Sequence, residues 1–164
     1  MPLYISSAGQ EGVLASVLTL KPEDARLFYA RSHEEALASG VKVKSLFDIF
    51  FGNPCLDSIK DFLQKNVGLP HSLVGSHLPH AVGYAWAAKI LGKKIIVAAY
   101  FGEGATATCD FHSALNFSSI HKIPILFACI NNGWAISTPP QLETATSSFA
   151  QKALGYGISA SIVD

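Results

Sequence analysis

Two unbroken apolar runs, Ile95-Ile96-Val97-Ala98-Ala99-Tyr100-Phe101 and Pro124-Ile125-Leu126-Phe127-Ala128-Cys129-Ile130, constrain this chain more than anything else in it. Neither alternates polar with apolar residues, so neither suits a sheet with one wet face. Runs of this length fit strands of a parallel sheet buried on both sides. Between them, residues 110–122 have the length of one helix, with Phe111, Leu115 and Ile120 available to pack on the sheet. Strand, helix, strand is the parallel crossover unit. It predicts an α/β fold, a parallel sheet with helices on both faces.

The flanking residues fill in the plan. Apolar residues at helical spacing predict helices within 9–20, over 43–50 and over 56–65, and the turn Lys21-Pro22-Glu23-Asp24 closes the first. Residues 67–76 hold Gly68, Pro70 and Gly75 without a helical period and read as an ordered loop. Pro79 then suits the first turn of a helix running through Ala81 to Leu91. A helix over 145–154 is expected to end at Gly155 and Gly157, and residues 158–163 are expected to form a third strand. This gives one domain over 1–164, with N-terminal helices in 1–66 and an α/β core in 67–164. Ending directly after that strand with no closing element, the sequence reads as a fragment.

Charge and composition narrow the partners. Twelve Lys plus Arg balance twelve Asp plus Glu, so no long-range field draws in nucleic acid or an anionic membrane. Any anion must be bound locally. Lys89, Lys93 and Lys94 interrupt the apolar region around 81–101 before it reaches the roughly 18 residues of a membrane span. A mean hydropathy of +0.31 predicts surplus apolar surface and hence an oligomer. Three cysteines without metal-ligand spacing suit a reducing compartment and read as small core residues. The N-terminus shows no basic or amphipathic targeting pattern.

In open α/β sheets, ligands bind at the carboxyl ends of the strands. Gly102-Glu103-Gly104 follows the first run and Asn131-Asn132 the second. If the strands are neighbours, a carboxylate and amide oxygens meet at one sheet edge. Such hard oxygens suit magnesium, which takes one or two carboxylates and completes its shell with carbonyls, water and phosphate oxygens. The glycines are expected to allow close backbone approach and positive φ, and the Ala105 and Thr106 amides to open a helix toward the anion. A rival exists. Gly102-x-Gly104-x-x-Ala107 matches a loose dinucleotide fingerprint, but Asn131 and Asn132 stand where an acidic ribose ligand would be wanted.

Gly102-Glu103-Gly104, then the 26 residues 105–130, then Asn131-Asn132 resembles the thiamine diphosphate motif of the 2-oxo acid dehydrogenases. The likeness extends through the segments 4–11, 78–83, 110–112 and 115–117. Asn131-Asn132-Gly133-Trp134-Ala135-Ile136-Ser137-Thr138-Pro139 is most similar to the branched-chain enzymes. The chain thus resembles the alpha subunit of their decarboxylating component, truncated at its C-terminus, with an incomplete thiamine-diphosphate-binding fold.

The resemblance implies thiamine-dependent oxidative decarboxylation of a small 2-oxo acid, with acyl transfer to lipoamide. It implies thiamine diphosphate and magnesium as cofactors. Glu103, Asn132 and the Trp134 carbonyl would be metal ligands, and Arg31, Ser72, Val74, Gly102, Gly104 and Ala105 cofactor contacts. The implied partners are a beta subunit and a lipoyl-bearing acyltransferase, and the compartment is bacterial or archaeal cytoplasm or the mitochondrial matrix. No catalytic residue is assigned within the chain. Ala30 stands where the family has a tyrosine, with Tyr29 one place earlier, and Val74 replaces a leucine. The alternatives are a non-catalytic assembly element that keeps the beta-subunit interface, and a pyruvate or other 2-oxo acid enzyme.

Overall fold

The computed structural model describes residues 4–163. Its centre is a three-stranded parallel sheet in the order β1 (Ala25–Leu27), β2 (Val97–Gly102), β3 (Ile125–Ile130). Four helices precede the central strand on its way from β1: α2 (His33–Ala38), α3 (Val43–Phe50), α4 (Leu56–Gln64) and α5 (His77–Ile90). α1 (Leu14–Thr19) leads into β1, α6 (Cys109–Ile120) crosses from β2 to β3, and α7 (Ala150–Leu154) follows a long irregular segment.

The period-two geometry of β2 sorts the core into two halves. Val97, Ala99 and Phe101 face Leu78, Ala81, Val82 and Ala85 of α5 and Phe111, Ala114 and Leu115 of α6. Ala98 and Tyr100 face Val17, Ala36, Leu46 and Phe62 from α1 to α4. Helices therefore cover both faces of β2. β3 differs from the expectation, because Leu126 is 44% exposed and Cys129 also reaches the surface. β2 is buried on both sides, whereas β3 is not.

β1 escapes a reading based on apolar runs because it is three residues long and carries Arg26 in its middle. Arg26 is nonetheless buried, and its guanidinium donates to the carbonyls of Leu20, Lys21 and Asp24 at 2.8–3.1 Å. The Asp24 carboxylate in turn accepts from the amides of Lys21 and Ile96 at 2.8 Å each. A turn that sequence alone marks as polar is thus the lock at the start of the sheet. Two other expectations fail. Residues 158–163 are not a strand, and residues 145–149 are irregular, leaving only α7 helical. The apolar pattern of 158–163 lacks a neighbouring strand that could supply its hydrogen bonds. All three cysteines are free and exposed.

α2 buries an acid. Glu35 is almost wholly enclosed, its Oε2 has no hydrogen-bond partner, and burial, with Glu34 adding to it, pushes the carboxyl up to about 7. Below the ordinary value of 4.5 both folded and unfolded chains hold this proton. Between 4.5 and 7 the unfolded chain releases it first, so stability falls as pH rises and then levels off. Each tenfold change in proton affinity is about 1.4 kcal/mol, so the loss is on the order of 3 kcal/mol. Glu35→Gln is expected to remove this fall, as read by denaturant unfolding across that pH window.

Candidate functional site

The carboxyl ends of β2 and β3 lie side by side, with Gly102 paired to Ile130. Glu103 and the Asn131-Asn132 pair therefore leave adjacent strands at one rim of the sheet. Glu103 is only 1% exposed, and its Oε1 is buried without any hydrogen-bond partner. A carboxylate oxygen in that state is costly unless something cationic or hydrogen-bonding meets it.

The neighbouring loop is shaped by its own side chains. Asn131 Oδ1 accepts from the Gly133 amide and Asn132 Oδ1 from the Trp134 amide, both at 3.1 Å, and Gly133 takes φ +79°. Ala135 and Thr138 exchange backbone hydrogen bonds at 2.9 Å, closing the turn. That turn rests on Gly104, where a Cβ would stand 2.7 Å from the Ala135 Cβ. Gly104 is therefore required for close approach. Positive φ is not involved: Gly102 sits at φ −76° and Gly104 is not among the positive-φ residues. The Ala105 and Thr106 amides belong to a short 3-10 turn, Glu103–Ala107, and not to α6, which starts at Cys109 under a Thr108 cap. This also weakens the dinucleotide reading, which needs the glycines to open an α-helix directly.

The loop that carries Ser72 and Val74 runs along β1 and reaches Thr108. Backbone bridges from Arg26 to Val67 and from Tyr29 to His71 bring the 67–76 loop alongside β1. Gly75, at φ +80°, presses on Thr108, whose Oγ1 would overlap a Cβ there. Ser72 is exposed and Val74 is 59% exposed, so nothing in the described residues covers their outer side. Arg31 donates from Nη1 to the Ser6 carbonyl at 2.6 Å, which leaves most of its five donors uncommitted among the described residues. Trp134 is 57% exposed, so it does not pack in the core as expected of a tryptophan.

Sequence reading undervalued three residues here. Tyr29, one place off the family pattern, still lines the rim: Gly102 would meet its ring at 3.6 Å, and its hydroxyl donates to Gln10 Oε1 at 2.9 Å. Burial, with Glu35 and Glu103 nearby, raises its pKa. Glu143 brings a second carboxylate to the glycine turn, and burial and Glu103 push its carboxyl up. Lys152 of α7 donates to the Thr106 carbonyl and hydroxyl at 3.1 and 2.8 Å, and burial lowers its pKa. The stretch around Glu143 looks like an ordinary polar turn, and only its packing on Gly104 reveals it.

No group of three or more His, Cys, Asp or Glu side chains able to hold a metal occurs among the described residues. A cation at this rim would draw on amide, carbonyl and phosphate oxygens, which is magnesium chemistry and not zinc chemistry. The unpartnered Glu103 oxygen, next to a glycine turn on which the following loop packs closely, fits such a group. No described helix is long and apolar enough to cross a membrane.

Comparison with known proteins agrees with this architecture. The chain is 34% identical over 168 residues to the 2-oxoisovalerate dehydrogenase subunit alpha of Bacillus subtilis, covering 96% of the chain and 51% of that protein. It is 33% identical over 166 residues to the pyruvate dehydrogenase E1 component subunit alpha of Staphylococcus aureus, covering 98% of the chain and 43% of the relative. The chain thus spans about half or less of these relatives. The X-ray structure of a putative thiamin diphosphate-dependent enzyme from Mycobacterium smegmatis superposes with a TM-score of 0.57 at 15% identity, over 96% of this chain and 28% of that one. That likeness shows a shared fold. The family model of the dehydrogenase E1 component matches residues 1–164, and the chain belongs to that family.

Proposed function

We propose that this chain is the cation- and diphosphate-holding part of a 2-oxo acid dehydrogenase alpha subunit, acting on branched 2-oxo acids with thiamine diphosphate and magnesium. The observation that carries the reading is the buried, unpartnered Glu103 oxygen at the rim where β2 and β3, the strands leading to Glu103 and Asn132, end side by side. Glu103, the Asn132 side chain and the Trp134 carbonyl would hold the cation. Arg31 has the free donors to grip two phosphate oxygens, and Gly102, Gly104 and Ala105 offer a surface that a diphosphate can approach closely. Ser72 and Val74 would meet the aminopyrimidine from the adjacent loop. Thiamine diphosphate, when bound, supplies the electron sink for decarboxylation, and the protein supplies position and electrostatics.

The wall missing outside Leu73 and Val74, both largely exposed, supports a beta subunit as the partner that encloses the cofactor. A lipoyl-bearing acyltransferase would take the acyl group. The loop 131–139 favours a branched substrate, and the pyruvate-type relative keeps the second substrate reading open. Calorimetric titration of the chain with its beta partner is expected to show magnesium-dependent thiamine diphosphate binding. Binding that is absent, or indifferent to magnesium, would refute the reading. A retained beta-subunit complex with no cofactor uptake would favour an assembly role.

A further inference from the structure

Glu143 has no role in the site as the family resemblance outlines it. It follows the 3-10 turn Pro140–Leu142, and its amide donates to the Pro140 carbonyl at 3.0 Å. That turn folds the side chain back over the glycine turn. Oε1 lies 3.5 Å from where a Gly104 Cβ would be, and Oε2 is buried with no hydrogen-bond partner. Glu103, the residue before Gly104, is 1% exposed with its own Oε1 in the same condition.

Two carboxylates so placed repel each other, and the repulsion grows as water is excluded. Burial first, and then the Glu103 charge, favours the neutral form of Glu143, against a smaller opposing pull from Lys152. Among the described residues no side-chain cation forms an ion pair with either glutamate, although the Lys152 charge acts on Glu143. The one ion pair among the described residues is Lys44 with Asp48, at the surface. Lys152 lies near, but its ammonium is committed to the Thr106 carbonyl and hydroxyl and forms an ion pair with neither glutamate. Two carboxyl groups, each with a buried unpartnered oxygen at the same glycine turn, match a divalent cation, for which two carboxylates are an ordinary number.

Resting on the cation site described above, we propose that Glu143 is a second carboxylate of that site, and that Glu103 and Glu143 together hold a divalent cation before any diphosphate arrives. Cation uptake is then a property of the chain alone, and the loaded cation is what recruits the diphosphate.

Manganese ion is a direct probe, since its free form is counted by electron paramagnetic resonance. The full chain without cofactor is expected to bind one manganese ion. Glu143→Gln, which keeps the shape and drops the charge, is expected to weaken that binding by about tenfold or more. Lys152→Met removes a competing positive charge and is expected to tighten it several-fold, a gain that misfolding would not produce. Unchanged affinity in Glu143→Gln would overturn the proposal. So would a wild-type chain that binds manganese only with thiamine diphosphate, since the pair would then be balanced by a shared proton. Repeating the titration on Glu103→Gln with thiamine diphosphate separates the two claims. If that variant loses manganese while Glu143→Gln does not, only the role of Glu143 falls. If neither variant matters in any arm, the cation site itself falls.

Discussion

Glu103→Gln is expected to abolish magnesium-dependent binding of thiamine diphosphate while leaving the fold intact. Glutamine keeps the volume and one oxygen of the side chain, so the packing of a residue only 1% exposed is preserved. What disappears is the charge. Loss of groups that merely orient a metal ligand costs 10–100-fold in affinity, so loss of a charged ligand is expected to cost at least about 100-fold. The metal-free protein should be no less stable, because Oε1 has no hydrogen-bond partner to lose. Titration calorimetry reads the first effect and thermal unfolding the second. A variant that binds as tightly as wild type would remove Glu103 from the site. One that unfolds would make it a structural residue.

The second large effect comes from two methyl groups. In Gly104→Ala the new Cβ would stand 2.7 Å from the Ala135 Cβ, far inside contact distance, and neither group can swing aside. Overpacking of this kind costs about 1–3 kcal/mol. It can be relieved only by lifting the loop that carries Asn132 and Trp134 away from Glu103. Stability and cation affinity are expected to fall together. Ala135→Gly, added to Gly104→Ala, removes the clash and is expected to restore most of both. Failure of that rescue would show that the glycine serves something other than close approach.

The sheet core was legible in the sequence because its signal is local. A continuous apolar run needs no partner to be recognised, and β2 fell where the run predicted, with α6 and β3 following. β1 was invisible because its middle residue is Arg26, whose burial depends on three carbonyls of the preceding turn. Residues 158–163 failed for the opposite reason, since apolar composition without a strand to pair with does not make a ladder. The β3 run was read as fully buried, but burial is a property of neighbours, and this strand lies at the sheet edge among the described residues, with Leu126 and Cys129 exposed on opposite faces.

The site divides in the same way. Glu103 and Asn132 were proposed from their positions after successive strands, and the register pairing Gly102 with Ile130 shows that the loops carrying them leave adjacent strands. The role given to the glycines was right in part: close approach at Gly104, but ordinary negative φ at Gly102. Tyr29 was discounted for standing one place out of register. Its ring reaches Gly102 all the same, because the bridge to His71 continues the line of β1 beyond its last strand residue. Glu143 carried no signal at all. Its importance comes from a fold-back over Gly104 that residue spacing does not encode.

The proposed site is one shared coordination sphere. Diffraction at the manganese absorption edge, from crystals of the chain with its beta partner, thiamine diphosphate and manganese, locates the ion without assumptions about function. An anomalous peak about 2.1 Å from both a Glu103 carboxylate oxygen and the Asn132 amide oxygen is the predicted result. A peak bound elsewhere, or a cofactor whose diphosphate is held with no ion at the Glu103 rim, would contradict it.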